Sequence, residues 1–590
     1  MSQRESKGAA QISAAVNGGE TTALAVLDET LARIEAYDAV QPQIWISRAP
    51  AERLRAQAKA IDARIAAGDT LPLAGVPFAV KDNIDVDGFE TTAGCPAFAY
   101  TADHSAHVVA QLEAAGALCV GKTNLDQFAT GLVGTRSPFG IPANAYNRAY
   151  ISGGSSSGSA IAVAAGLVPF ALGTDTAGSG RVPAAFNHLI GYKPSKGRWS
   201  TRGLVPACRT LDCISVFTHD TTDARLVDGV VAGFDPNDPY SRALPERLLE
   251  PHRIGVPMPG QRNWFGDAAS QRLYEKALAV LAEGATLIEL DIGYLQEAAA
   301  LLYNGPWVAE RTAALLDLLE RDPDAIDPTV RKVVEPGAEI SAVGAFEGQY
   351  RLAALQREAE AMWDRVDMLA FPTTGTIYRI AELLAEPVAL NSNLGFYTNF
   401  VNLLDMAAVA VPAGQRDNGT GFGITLIGPA GSDSGLLEAA EDYCTAAGLP
   451  ATPALDLEGK METVKLAVVG AHLKDMPLHW QLTSRHATFV GSFQTAATYR
   501  LYAMADSIPP KPALVHSDDG GAIAVEVYEL DVGAFGSFVS EVPAPLAIGT
   551  VTLEDGSTVK GFVAEPRATV GAEDITALGG WRAYIAREAG

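Results

Sequence analysis

Along the first half of this chain, apolar runs of strand length alternate with segments of helical period, and that alternation restricts the fold more than any other feature. Pro50 opens the run A-E-R-L-R-A-Q-A-K-A-I-D-A-R-I-A-A and Gly68 closes it, the asymmetry expected of a helix. The short apolar run Val76–Val80 then predicts a strand that delivers Lys81 at its end. Ser105–Ala115 reads as a helix stopped by Gly116, Ala117–Val120 as a strand, Ser157–Ala165 as a helix of small residues and Leu167–Leu172 as a strand. Repetition of this unit predicts an α/β domain whose mixed sheet carries helices on both faces.

At 590 residues the chain is too long for one hydrophobic core and should divide into two or three domains. Ser434–Gly448 reads as helical, and the segment L-P-A-T-P-A-L-D-L-E-G that follows, Leu449–Gly459, carries two prolines and a glycine. A boundary is expected near residues 450–463, between a first domain of residues 1–455 and a second of residues 465–590. In the second, Lys465–Val469, Ala522–Leu530, Ala547–Leu553 and Thr558–Val563 are short β-rich runs parted by turn residues, which predicts a smaller, mostly β domain.

A formal charge of −25 argues against nucleic acid as a partner, because phosphate binding needs clustered lysine and arginine. Met1–Ala10 has neither the apolar core of a secretion signal nor the pattern of a transit peptide, so a cytoplasmic location is the default expectation. Ala160–Leu172, the longest apolar stretch, is interrupted by Gly166 and Pro169 and falls short of the roughly 20 residues of a membrane span. The five cysteines, Cys95, Cys119, Cys208, Cys213 and Cys444, form no C-x-x-C pair and read as reduced, buried thiols; no metal site is expected.

Chemistry concentrates in three segments: V-K-D-N (Val80–Asn83), S-G-G-S-S-S-G-S (Ser152–Ser159) and G-T-D-T-A-G-S-G-R (Gly173–Arg181). A serine becomes a nucleophile at neutral pH when a base removes its proton, and a lysine held neutral by burial can be that base. Ser179 is the expected nucleophile, since the amides of Thr176, Ala177 and Gly178 lie in a tight turn of small residues able to converge on an oxyanion. Asp175 and Arg181 flank that serine and are expected to pair and hold the loop. Two further matches are set aside. Gly154–Gly158 fits the G-x-S-x-G elbow but lacks a preceding strand, and Ser557–Lys560 fits S-x-x-K in a β-like run rather than on a helix.

The three segments together resemble the amidase signature family, whose catalytic set is Ser–cis-Ser–Lys. The resemblance implies the roles of Lys81 as base, Ser155 as the relay behind a cis Gly154–Ser155 peptide, and Ser179 as nucleophile, with no cofactor. Where the family usually has Gly-Gly-Ser, this chain has Ala177-Gly178-Ser179, which suits an oxyanion turn if residue 177 needs no positive φ. Within the family, T-A-G-S-G-R-V-P-A-A-F-N (Thr176–Asn187) and the added C-terminal domain resemble the allophanate hydrolases.

That closer resemblance implies a small anionic ureido substrate, a homodimer, and a functional partnership with a biotin-dependent urea carboxylase. It also implies substrate contacts from Tyr303 and Arg311 in the helical stretch Tyr294–Glu320, although the spacing alone fits packing and a surface ion pair as well. Guanidinium suits the task, because it pairs a carboxylate through two parallel donors. Gly131, in the loop Thr130–Gly134, is a candidate for close approach to substrate. V-V-G-A-H-L-K-D-M-P-L (Val468–Leu478) resembles the start of a γ-glutamyl cyclotransferase-like fold and makes His472 the candidate of the second domain. Two other readings stay open: a general amidase for small uncharged amides or a relative of the A component of the glutamyl-tRNA amidotransferases, and a C-terminal domain that serves interaction rather than catalysis.

Overall fold

The computed structural model describes residues 7–448, 455, 463–483, 485, 487–504 and 507–588. They fall into two compact units, a large one of residues 7–137 and 141–448 with residue 455, and a small one of residues 138–140 and those described from Thr463 to Glu588. The linker expected near residues 450–463 lies almost wholly outside the described residues.

The large unit is built on one mixed sheet of 11 strands. From one edge its order is Trp45–Arg48, Leu118–Thr123, Pro77–Lys81, Phe170–Thr174, Ile214–Thr218, Ile190–Lys193, Met406–Gln415, Gly421–Pro429, Met368–Pro372, Arg253–Pro257 and Thr286–Leu290. Pro77–Lys81 runs parallel to both of its neighbours, Leu118–Thr123 and Phe170–Thr174. These strands are buried along their whole length, as the near-continuous apolar sequence of a covered sheet requires.

The helix expected from Pro50 runs Ala51–Ala66, and the small-residue helix runs Ser157–Ala164 with every residue buried. Its composition has a packing reason. A Cβ on Gly158 would lie 2.4 Å from the Ile44 carbonyl oxygen and 2.6 Å from the Asn124 nitrogen, so only glycine lets the helix start press against the sheet. The strand expected at Leu167–Leu172 instead spans Phe170–Thr174, because Pro169 has no N–H to give a ladder. That shift brings Thr174 to the same sheet margin as Lys81. The stretch Tyr294–Glu320 is two helices, Gly293–Asn304 and Trp307–Arg321, parted where Gly305 is extended and Pro306 lacks a donor.

The small unit holds a five-stranded sheet, ordered Thr488–Gln494, Ala524–Asp531, Thr463–Val468, Thr558–Ala564 and Leu546–Thr552. A second sheet joins Pro512–His516, Tyr499–Ala503 and Glu573–Asp574. Helices Val532–Ser540 and Trp581–Glu588 complete it, and Leu466, Val468, Leu501, Val527, Phe538 and Trp581 share its core.

Candidate active site

Lys81 ends its strand in the middle of the parallel group and is fully buried. Its Nζ lies 2.6 Å from Ser155 Oγ and 2.7 Å from Thr174 Oγ1. The neighbouring strand carries a second fully buried lysine, Lys122, whose Nζ meets the Asp82 carboxylate at 3.3 Å. The contrast is chemical: Lys122 has a counter-ion, whereas Lys81 has hydroxyl partners and forms no ion pair among the described residues. Burial lowers the Lys81 amine to about 7, against the partial opposing pull of Asp126, Asp212 and Asp175.

Ser155 follows a cis peptide from Gly154. Its loop is held by Asp126, whose own N–H donates to the Ser155 carbonyl at 3.1 Å. The Asp126 carboxylate accepts N–H bonds from Val133, Gly134 and Arg136 at 3.1, 3.0 and 3.0 Å. Gly131 lies inside the loop so gathered, at φ +153, and a Cβ there would sit 2.6 Å from Asp126 Oδ2. Its close approach is therefore to this carboxylate, and its carbonyl accepts a long bond of 3.4 Å from Ser179 Oγ. No hydrogen bond joins Ser155 to Ser179 among the described residues, so the hydroxyl row that the family resemblance implies is formed at its Lys81–Ser155 end only.

The turn before Ser179 departs from expectation at one donor. Asp175 and Arg181 do pair, through two parallel bonds of 2.8 and 2.9 Å between fully buried groups. The same carboxylate accepts from the N–H groups of Gly178 and Gly180 at 2.8 and 3.1 Å. The Gly178 donor is thus engaged. The N–H groups of Thr176, Ala177 and Ser179 donate to no protein group among the described residues, so the free trio includes Ser179 in place of Gly178. Ala177 is not among the residues at positive φ, whereas Gly178 is at φ +133, which accounts for the Ala-Gly order.

Three residues have no counterpart in the sequence reading: Asn402 and Asp212, which hold this turn, and Thr174, which holds the lysine. Asn402 Nδ2 donates to the carbonyls of Asp175, Thr176 and Leu211 at 2.6, 3.1 and 2.9 Å. Asp212 accepts from the Thr176 hydroxyl at 2.5 Å and from the Ala207 N–H at 2.9 Å, and burial raises its carboxyl to about 6. Thr174 meets Lys81 as described. Asn402 and Asp212 lie far from the motifs in sequence, and only the fold brings them in. Gly178→Ala is expected to destabilise the protein by about 1–3 kcal/mol in thermal or denaturant unfolding, because the new Cβ would lie 2.5 Å from Thr398 Oγ1 at an unfavourable φ.

Tyr303 and Arg311 do come together across the break between their helices, the guanidinium carbon lying 5.3 Å from the ring centre. Arg311 is 2% exposed, donates from Nη1 to Thr130 Oγ1 at 3.1 Å, and leaves its buried Nε without a partner. It forms no ion pair among the described residues. Thr130 precedes Gly131, so this cation borders the loop that receives Ser179. In the small unit, His472 is stacked on Phe562 with ring centres 5.0 Å apart and bonded to Gln481 at 2.6 Å, and burial lowers its imidazole to about 4. The five cysteines are all free and buried, and no group of three His, Cys, Asp or Glu side chains is placed to hold a metal among the described residues. No helix of the described residues is long and apolar enough to cross a membrane.

Two family models match the chain: Amidase over residues 25–437 and Allophanate hydrolase C-terminal domain over residues 464–586. A urea amidolyase of Saccharomyces cerevisiae is 45% identical over 569 residues, covering 92% of this chain and 31% of its own length. This chain therefore spans about a third of that relative. The A component of a glutamyl-tRNA(Gln) amidotransferase from Halorhodospira halophila is 35% identical over 476 residues, covering 74% of this chain and 96% of its own. Among solved structures, a Kluyveromyces lactis allophanate hydrolase superimposes with a TM-score of 0.70 at 41% identity, covering 97% of this chain and 98% of that one. With the first model matched across most of the large unit, and with the serine turn and buried lysine in one place, the chain belongs to the amidase family.

Proposed function

We propose that the large unit is an amidohydrolase that cleaves the C–N bond of allophanate, with Ser179 as nucleophile, Ser155 as relay and Lys81 as base. The observation that carries the choice of substrate is Arg311: a buried guanidinium with an unpartnered Nε and no ion pair among the described residues, beside the loop that receives Ser179. A buried charge without a partner is costly, and a substrate carboxylate supplies one. The allophanate hydrolase and urea amidolyase names of similar proteins support the same reading.

In the reaction, neutral Lys81 takes the Ser155 proton while Ser155 takes that of Ser179, and Ser179 Oγ bonds to the ureido carbonyl carbon. For this the Ser179 hydroxyl turns from the Gly131 carbonyl toward Ser155, a tightening common once substrate is seated. The carbonyl oxygen becomes an oxyanion that the N–H groups of Thr176, Ala177 and Ser179 receive, each such donor contributing about 3 kcal/mol to the transition state. As the tetrahedral species collapses, the C–N bond breaks and the proton returns through Ser155 to the nitrogen, which leaves as ammonia. Water then attacks the acyl carbon by the reverse relay, freeing Ser179 and an N-carboxylated carbamate that decomposes to carbon dioxide and ammonia.

For the small unit we propose a γ-glutamyl cyclotransferase-like fold that hastens that decomposition, with His472 as its candidate residue; the neutral imidazole between aromatic rings supports this role. A homodimer, a cytoplasmic location and a biotin-dependent urea carboxylase as functional partner belong to the same proposal, the last supported by the urea amidolyase relatives.

The substrate reading is tested with Arg311→Leu and Arg311→Lys. Ammonia release from allophanate should fall in kcat/KM by about a hundredfold or more in both, since a lysine lacks the planar fork, and release from malonamide should fall much less. Equal losses on the two substrates would place Arg311 in packing and favour a general amidase. Faster turnover of glutamine than of allophanate by the unaltered protein would favour an amidotransferase-like activity.

A further inference from the structure

A cavity of about 400 Å³ opens beside Tyr303 and does not include Lys81, Ser155 or Ser179 among the residues that line it. Its charged lining is of one sign: Arg136 and Lys332 with no carboxylate, alongside the polar side chains of Asn391 and Ser392. Arg136 is 3% exposed, forms no ion pair among the described residues and leaves its Nε unpartnered. Its other nitrogens donate to the carbonyls of Thr130 and Pro387 at 2.9 and 2.8 Å, which anchors it on the loop of Gly131. Asn391 accepts from the Leu132 N–H of the same loop at 2.8 Å.

Lys332 is the exposed member of the pair. It is held in place by its own helix, Pro328–Val334, whose Val330 and Val334 are fully buried against Phe128, Leu315 and Leu318. Tyr303 lines the cavity and also carries Arg311 over its ring, so the cavity and the buried cation share a wall. In a chain of net charge −25, an anion approaching the site meets repulsion over most of the surface, and a lining of two cations offsets it locally.

We propose that this cavity is a vestibule for small carboxylates: Lys332 captures the anion at the surface, Arg136 receives it within, and it passes along Tyr303 to Arg311. The proposal rests on the carboxylate reading of the substrate. It is tested by steady-state ammonia release at low and high ionic strength from allophanate, from malonamate, which carries a carboxylate, and from malonamide, which does not.

In Lys332→Glu at low ionic strength, the ratio of kcat/KM for malonamate to that for malonamide should fall about tenfold, and raising the salt should restore most of it. Lys276→Glu makes the same change in net charge on the helix Ala268–Ala282, which does not line the cavity, and should leave the ratio unaltered. An unchanged ratio in Lys332→Glu, or equal changes in both variants, overturns the vestibule. A wild-type protein that releases no ammonia from allophanate refutes the substrate reading instead, and the malonamate ratio still decides the vestibule.

Discussion

Ser179→Ala should lower ammonia release from allophanate by about 10⁴-fold or more, because it removes the only atom to which the acyl group is proposed to bond. The variant still has the free N–H groups at positions 176, 177 and 179, so substrate polarisation survives and the residual rate should stay above that in water. Rapid quenching of the unaltered protein with substrate should trap an acyl adduct on the peptide that holds Gly173–Arg181, absent from the variant. Activity within tenfold of wild type, or an adduct on another serine, would refute the assignment. The variant is expected to fold, since Ser179 Oγ makes a single long contact with the Gly131 carbonyl.

Lys81→Met is the second large effect, a loss of about 10³–10⁴-fold that alters the pH profile as well as the rate. The sign follows from which form works. The relay needs the uncharged amine, and burial lowers Lys81 from an ordinary value of 10.5 to about 7, so the uncharged form dominates above about 7 and is depleted below it. In the unaltered protein, kcat/KM should climb about tenfold per pH unit up to about 7 and then level off. Asp212 adds a steeper fall at lower pH, because its carboxyl, raised to about 6 by burial, must be ionised to accept from both Thr176 and the Ala207 N–H. In Lys81→Met the limb at 7 should vanish. A limb near 10 in the unaltered protein would mean that Lys81 is charged over the working range and would remove it as base.

The part of the large unit around Lys81 was legible because its signals are local. Pro50 and Gly68 bracket a helix found at Ala51–Ala66, and the apolar run before Lys81 is a buried strand that ends on the lysine. The Lys81–Ser155 contact and the Asp175–Arg181 pair follow from the motifs together with the family resemblance. What sequence could not supply is partnership across distance. Asn402 reaches the serine turn from 227 residues away, and Asp212 lies on a loop with no motif of its own.

The choice of Gly178 as an oxyanion donor failed for the same reason: Asp175 was assigned to Arg181, and nothing in the local pattern tells that its carboxylate also takes the Gly178 N–H. In the small unit, Thr488–Gln494, Tyr499–Ala503 and Pro512–His516 were not anticipated as strands. The first is largely exposed, which weakens the apolar alternation by which a strand is read.

The chemistry depends on a matter of parity. Along Pro77–Lys81, odd and even residues face opposite sides of the sheet; Phe78 stacks on Phe170 at 5.2 Å on one side, and Lys81 projects on the other. Against Leu118–Thr123 the pairing skips Val120, an irregularity that offsets Lys81 relative to the start of that neighbour. Gaining or losing one residue in the strand would invert the lysine and leave the fold's outline intact. Such a protein would keep its sheet and its serines and lose its base, so the length of this segment is as firmly set as the identity of its last residue.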